Sequence, residues 1–258
     1  MKELLHTDKV GINFGNLWAV KNIDFVIKEK EIIGLIGPNG SGKTTFFNLI
    51  SGIYAPTKGK IYYKDKDITG LLPNQIKKRG IARTFQSSRL CWDLSVLDNV
   101  LAGLQSEWKT NWKTILFNIK KSDQEISDGI DKAIDLLGYF NKDLVDKRFE
   151  QVKNIPHIDR RRIEICRALI SEPDLLLLDE PSAGLNNEET LEMMRHIKNV
   201  QERNKKVSII IIEHDMSVIS DVSGFVIVFN AGQEIARGKF EDISKDKNVC
   251  LAYLGGTQ

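Results

Sequence analysis

Gly37-Pro38-Asn39-Gly40-Ser41-Gly42-Lys43-Thr44-Thr45 decides the reading of this chain. It fits the spacing G-x-x-x-x-G-K-[ST], with Gly37, Gly42, Lys43 and Thr44 in the fixed places. Gly40 and Gly42 lack a Cβ, so the backbone N–H groups of such a loop can turn inward onto a polyphosphate. Lys43 can reach the β- and γ-phosphates, and the Thr44 hydroxyl can ligate Mg²⁺. Glu31-Ile32-Ile33-Gly34-Leu35-Ile36, just before, is short, apolar and partly β-branched, and reads as a buried strand. Thr44 to Ile50 reads as a helix whose N-terminus faces the anion. A strand before and a helix after separate a phosphate loop from an ordinary glycine-rich turn.

The bulk properties narrow the class. The chain has 258 residues, with 37 Lys and Arg against 35 Asp and Glu, a formal charge of +2. That balance argues against a generic binder of nucleic acid or anionic membrane. There is no apolar run of transmembrane length and no signal-peptide pattern over Met1 to Val10. Cys91, Cys166 and Cys250 are widely spaced, which fits a reducing compartment and no metal pattern.

Upstream of the loop, Leu4 to Phe14 and Ala19 to Ile27 read as two strands. Phe14 and Trp18 have two readings, core aromatic or a ring that stacks on a purine base. Downstream, Lys60 to Tyr63 and Gly80 to Gln86 read as short strands, with a loop and short helix over Ile68 to Lys78. Gln86, at a strand end, can hydrogen-bond a metal-bound or attacking water.

From Ser87 to about Lys153 the pattern turns helical. Val96 to Ala102 has helical periodicity, and Ile126, Ile130, Ala133, Ile134 and Leu137 mark an amphipathic helix. Trp108, Trp112 and Phe117 lie among lysines, as a partner-binding face or a solvated one with anchoring aromatics. Asp159 reads as the cap of a helix over Arg160 to Ile170.

Leu175-Leu176-Leu177-Leu178-Asp179-Glu180 is then a buried strand with two carboxylates at its C-terminal end, where open parallel sheets place ligands. Asp179 can hold Mg²⁺ and Glu180 can orient or deprotonate a water. Glu188 to Glu202 reads as a helix. The strand Val207 to Glu213 delivers His214 and Asp215, and a histidine there can contact a γ-phosphate. Phe225 to Phe229 and Gln233 to Ala236 read as a hairpin, and Phe240 to Leu254 as a helical tail.

Together these residues resemble the ATP-binding subunit of an ABC transporter, over essentially the whole chain. Within that superfamily the chain is most similar to the branched-chain amino acid uptake subgroup. Arg83-Thr84-Phe85-Gln86, Val96-Leu97-Asp98-Asn99-Val100, Ala183-Gly184-Leu185-Asn186 with Glu189-Thr190, and Ala252-Tyr253-Leu254-Gly255 carry that likeness. The resemblance implies an α/β fold: a P-loop NTPase (RecA-like) core, about residues 1–87 and 165–258, with an antiparallel β-subdomain and an inserted helical subdomain, about residues 88–164.

It further implies Phe14 as the ring on adenine and Gly37 to Thr45, including Pro38, Asn39 and Ser41, as the Walker A loop. Asp179 becomes the Walker B acid, Glu180 the catalytic glutamate, Gln86 a Mg²⁺ and coupling residue, Ser182 to Asn186 the D-loop and His214 the switch histidine. ATP and Mg²⁺ are the implied cofactors. The implied partners are a second ATPase subunit, transmembrane permease subunits and, indirectly, an extracytoplasmic solute-binding protein, with no nucleic acid. The implied place is peripheral, on the cytoplasmic face of the membrane.

One departure stands out. Where the family signature Leu-Ser-Gly-Gly-Gln belongs, this chain has Ile155-Pro156-His157-Ile158-Asp159. Pro156 replaces the serine and lacks an N–H, Ile158 replaces the close-approach glycine, and Asp159 adds a negative charge beside Arg160, Arg161 and Arg162. In the family's head-to-tail dimer a signature serves the partner's ATP, so the expectation is a heterodimer with unequal sites. A regulatory subunit with weak hydrolysis, or an importer of urea or short amides, is the alternative. A translation or repair ATPase and a P-loop kinase or GTPase fit the remaining motifs less well.

Overall fold

The computed structural model describes residues 2–105, 119–203 and 206–254. The aromatic cluster at Trp108, Trp112 and Phe117, and Gly255 of the tail, lie outside the described residues. Two compact units result: Met1–Arg83 with Asp174–Gln258, and Thr84–Pro173.

The first unit holds two sheets. The antiparallel one orders its strands β2(Leu17–Ile23), β1(Glu3–Phe14), β5(Lys58–Tyr63) and β6(Lys66–Asp67), with β3(Val26–Lys28) also paired to β1. The single strand expected over Ala19 to Ile27 is thus two. At Asp24 and Phe25 local bonds replace the ladder: Thr7 Oγ1 donates to the Ile23 carbonyl at 2.8 Å and accepts from the Phe25 amide at 2.9 Å. Asp24 Oδ1 takes the Lys9 amide at 2.7 Å. Side-chain bonds of this kind compete directly with a continuous ladder.

The second sheet has the order β11(Gln233–Lys239), β10(Phe225–Asn230), β4(Ile32–Ile36), β9(Ser208–Ile212), β8(Leu175–Asp179) and β7(Ile81–Arg83). Only the β10–β11 hairpin pair is antiparallel; β10, β4, β9, β8 and β7 run parallel. Unbroken apolar strands such as Leu175–Leu178 and Ile209–Ile212, all fully buried, are what a parallel sheet covered on both faces requires. The core beneath joins Phe25, Phe46, Phe47 and Phe229 to Leu35, Ile50, Ile61 and Ile227. The expected strand Gly80 to Gln86 is only Ile81–Arg83. The helical tail is two helices, Phe240–Ile243 and Lys247–Leu254.

The second unit is helical. Helices Val96–Leu101, Ile119–Phe140 and His157–Leu169 pack on one another. Ala133, Leu137 and Phe140 supply the buried face of the long helix, whereas Ile126, expected on that face, is 38% exposed. His157–Leu169 runs through the boundary expected near residue 164, so the unit closes at Pro173.

Asp159 is not the cap expected for this helix. The N-cap is Pro156, at φ −55°. Proline suits a helix start because it has no N–H to leave unsatisfied and its φ is already helical. Asp159 sits in the first turn and is buried. Its Oδ1 accepts from Arg162 Nη1 at 2.7 Å and from Asn141 Nδ2 at 3.0 Å. Its charge is neutralised inside the unit rather than presented to an anion, which corrects the electrostatic part of the expectation.

Candidate functional site

In the first unit, strand register brings the sequence-expected residues together. Leu35 and Asp179 both stand level with Ile212 of β9. Glu180 and Glu213 therefore leave the sheet at one height and Gly37 one residue beyond it, at the carboxyl ends of neighbouring strands.

The phosphate loop is made by glycines that no other residue can replace cheaply. Gly37 has φ +146°, and a Cβ there would lie 2.1 Å from the Phe229 carbonyl oxygen. Gly42 is the N-cap of helix Lys43–Ile50 at φ +102°, with a Cβ position 2.4 Å from the Ala19 carbonyl oxygen. Both positions combine a left-handed conformation with close backbone approach. Lys43 is buried, and its ammonium donates to the Gly37 and Pro38 carbonyls at 2.7 and 3.0 Å. Burial lowers its pKa, against the opposing pull of Glu180 and Asp179. Ser41 Oγ is buried with no hydrogen-bond partner among the described residues, and Gly40 faces open space. A loop with a buried ammonium, an unsatisfied hydroxyl and an open glycine suits an anionic ligand.

Thr44 Oγ1 donates to Asp179 Oδ1 at 3.4 Å, bringing a hydroxyl and a carboxylate oxygen together as a hard cation requires. The other oxygen of Asp179 is committed. Arg83 Nη2 donates to Oδ2 at 2.8 Å, and both side chains are almost wholly buried. Arg83 Nη1 donates to Asn48 Oδ1 at 2.7 Å and Ser51 Oγ at 2.9 Å, tying β7 and β8 to the helix that follows the loop. Burial raises the Asp179 pKa in spite of this arginine, and Glu180 adds to the rise. Sequence reading used Arg83 only as part of a family motif. Its side-chain role was not visible, because its partner lies 96 residues away.

Glu180 follows β8 with φ +51°, a left-handed conformation that costs a non-glycine residue on the order of 1 kcal/mol or more. Its amide donates to the Ile212 carbonyl at 3.0 Å, and its carboxylate makes a short contact with His214 Nε2. Glu180 is buried, while the His214 side chain is 41% exposed. Phe14 is not core: it is 49% exposed at the end of β1, edge-on to Tyr54 with ring centroids 5.4 Å apart. Trp18 is half-buried under the Lys58 ammonium, 5.0 Å from the ring centroid. Gln86 belongs to the second unit; its side chain is exposed and its carbonyl accepts from Arg161 Nη2 at 2.7 Å.

Glu213, beside His214, is a buried carboxylate that sequence reading passed over. Burial pushes its pKa up, partly opposed by hydrogen bonds from Ser182. Its folded value therefore lies above the ordinary 4.5, so this site stabilises the fold below about that pH and loses the contribution as pH rises through the raised value. Glu213→Gln should accordingly melt about 2–4 °C above the parent at pH 8, with the gap closing toward pH 4.5. A gap independent of pH in thermal melts contradicts this.

A glycine loop, a hydroxyl, a carboxylate pair and a histidine thus gather at the ends of β4, β8 and β9. The ABC transporter family model matches residues 20–183, and the chain belongs to that family. It is an ATP-binding cassette, an ATPase coupled to transport. Its relatives are more particular. It is 36% identical to the high-affinity branched-chain amino acid transport ATP-binding protein LivG of Salmonella typhimurium, over 98% of each chain. It is 33% identical to the corresponding protein BraF of Pseudomonas aeruginosa, again over 98% of each. Among solved structures it is similar to an ABC transporter cassette in its ADP conformation, with TM-score 0.85 and 26% identity over 99% of this chain and 100% of that one. A nucleotide-free ABC transporter cassette gives 0.83 and 25%, over 97% and 98%.

Proposed function

We propose that this chain is the ATP-hydrolysing subunit of an importer that takes up branched-chain amino acids through separate membrane subunits. The observation that carries the reading is the convergence of Lys43, the Thr44–Asp179 pair and the Glu180–His214 pair at neighbouring strand ends. The cargo follows from relatives whose names specify branched-chain amino acid transport.

Each side chain then has a task. Phe14 offers an exposed face to adenine. The Gly37–Thr45 amides and Lys43 bind the phosphates; the ammonium exchanges two neutral carbonyl acceptors for charged oxygens, which strengthens its bonds. Thr44 and Asp179 would hold Mg²⁺, which would neutralise charge on the β- and γ-phosphates. Arg83 leaves Asp179 Oδ1 as the oxygen facing Thr44. Glu180 orients the attacking water and accepts its proton, while His214 holds the Glu180 carboxylate and can donate to the γ-phosphate.

The second unit supports an unequal partner. Pro156 and His157 are exposed at the helix start and Ile158 is half-buried, where the family places a serine and a glycine. A helix N-terminus needs free amides to bind phosphate, and Pro156 has none. A heterodimer keeps one good composite site, built from this chain's loop and the partner's signature. The same residues favour, as a second reading, a regulatory subunit with weak hydrolysis. Among the described residues no helix is long and apolar enough to cross a membrane, so attachment at the cytoplasmic face would be through permease subunits.

The test is uptake by the transporter rebuilt in vesicles. Labelled leucine should accumulate only with ATP, be displaced by isoleucine and valine, and stop when this chain carries Lys43→Ala. ATP-driven uptake of urea or acetamide with no effect of leucine would overturn the cargo assignment.

A further inference from the structure

Glu213 is bound more deliberately than a chance buried acid. It is 4% exposed, directly after β9. Its Oε1 accepts both donors of one residue, the Ser182 amide at 2.9 Å and the Ser182 hydroxyl at 2.7 Å. The roles implied by the family likeness give Glu213 no task.

The geometry of the neighbouring turn supplies one. Adjacent side chains on extended chain point to opposite sides. From neighbouring positions, His214 engages the Glu180 carboxylate while Glu213 grips Ser182, two residues further along the same turn. Glu180 holds a left-handed φ of +51°, and such a conformation persists only where its surroundings over-determine it. The surroundings here are the Ile212 carbonyl on the Glu180 amide, the Ala183 amide on the Glu180 carbonyl at 3.1 Å, and the Glu213–Ser182 clasp. The first two hold the peptides on either side of Glu180; the clasp ties the far side of the turn to the end of β9.

We propose that Glu213 is a positioning residue for hydrolysis, fixing Ser182 and through it the turn that aims the Glu180 carboxylate. The inference rests on the role of Glu180 proposed above. It places the requirement on an acceptor oxygen at Glu213, not on the negative charge, and on turnover, not nucleotide affinity, because the clasp touches none of the phosphate-loop residues.

Steady-state ATPase kinetics of the full-length chain in its assembled transporter test this, with a fluorescent ATP analogue for binding and thermal melts for folding. Glu213→Leu should lower kcat on the order of 100-fold, and Ser182→Ala on the order of 10-fold, with KM for ATP within about threefold of the parent. Glu213→Gln keeps the acceptor and should stay within about fivefold. The Ser182→Ala/Glu213→Leu double variant should be no slower than Glu213→Leu, because both remove one contact. If Glu213→Leu does not fold, Ser182→Ala and Glu213→Gln still decide the matter. Near-parental kcat in Ser182→Ala, equal losses in the Gln and Leu variants, or a loss of ATP affinity would each overturn the proposal. Glu180→Gln measured alongside separates the two claims. Full activity there sinks the role of Glu180, whereas silence there with parental activity in Ser182→Ala sinks only that of Glu213.

Discussion

Glu180→Gln in this chain is expected to cut ATP turnover of the assembled transporter by about 10²–10⁴-fold while leaving ATP binding intact. Glutamine is nearly isosteric, so the turn at residues 180–185, the Glu180 amide bond to Ile212 and the approach of His214 should persist. What is lost is a carboxylate able to accept a proton. Lys43, the loop glycines and Thr44 are untouched, so affinity for the analogue should stay within about threefold. Turnover measured with saturating ATP, beside equilibrium binding, reads both quantities. Substantial residual turnover would move the general base to another group.

Arg83→Met is expected to lower the melting temperature on the order of 10 °C. The Arg83–Asp179 pair is buried on both sides, and removing one partner of such a pair costs about 3–5 kcal/mol because the other charge is left buried without it. Asn48 and Ser51 also lose the donor that links them to β8. A catalytic consequence is expected beyond the melt. Asp179 Oδ2 becomes free to rotate toward Thr44, so half-maximal activation should require several-fold more Mg²⁺. Arg83→Lys keeps a charge but cannot reach three acceptors in one plane, and should fall between the two. Differential scanning calorimetry and a Mg²⁺ titration check these points. Melting within about 2 °C of the parent would mean the pair contributes little.

These two residues also show what the sequence could disclose. Glu180 was legible because four leucines followed by two acids place carboxylates at the end of a buried strand, where ligands bind. The phosphate loop was legible because its chemistry is local: spacing, glycines and flanking strand and helix all fall within about 20 residues. Arg83 was not, since its meaning lies in contacts made across the fold with Asp179, Asn48 and Ser51. Glu213 carries no local signal for the same reason; the sequence reading makes it only the last residue of the strand Val207 to Glu213, and the fold shows it buried on Ser182.

Local rules also misled where a competing local term was stronger. Asp159 suits an N-cap, but Pro156 begins the helix three residues earlier and Arg162 draws the aspartate inward. Arg161 and Arg162 looked like charges that offset Asp159 near an anion. Arg161 instead pairs with Glu164 at 3.0 Å and holds the Phe85 and Gln86 carbonyls, so much of that positive charge is spent on structure. The second expected strand, Ala19 to Ile27, divides at Asp24 and Phe25, where the Thr7 hydroxyl bonds the Ile23 carbonyl and the Phe25 amide.

The central claim is that this chain carries a working hydrolytic site that needs another subunit's signature to complete it. ATP turnover by the purified chain, alone and then with its second ATPase subunit, tests it most directly. Near silence alone, activity at a normal transporter rate with the partner, and renewed silence when this chain carries Glu180→Gln are the expected results. Normal turnover by the chain alone would show that Pro156 and Ile158 are tolerated and contradict the unequal sites. Silence in both settings with ATP still bound would contradict the hydrolytic role itself and leave a regulatory subunit.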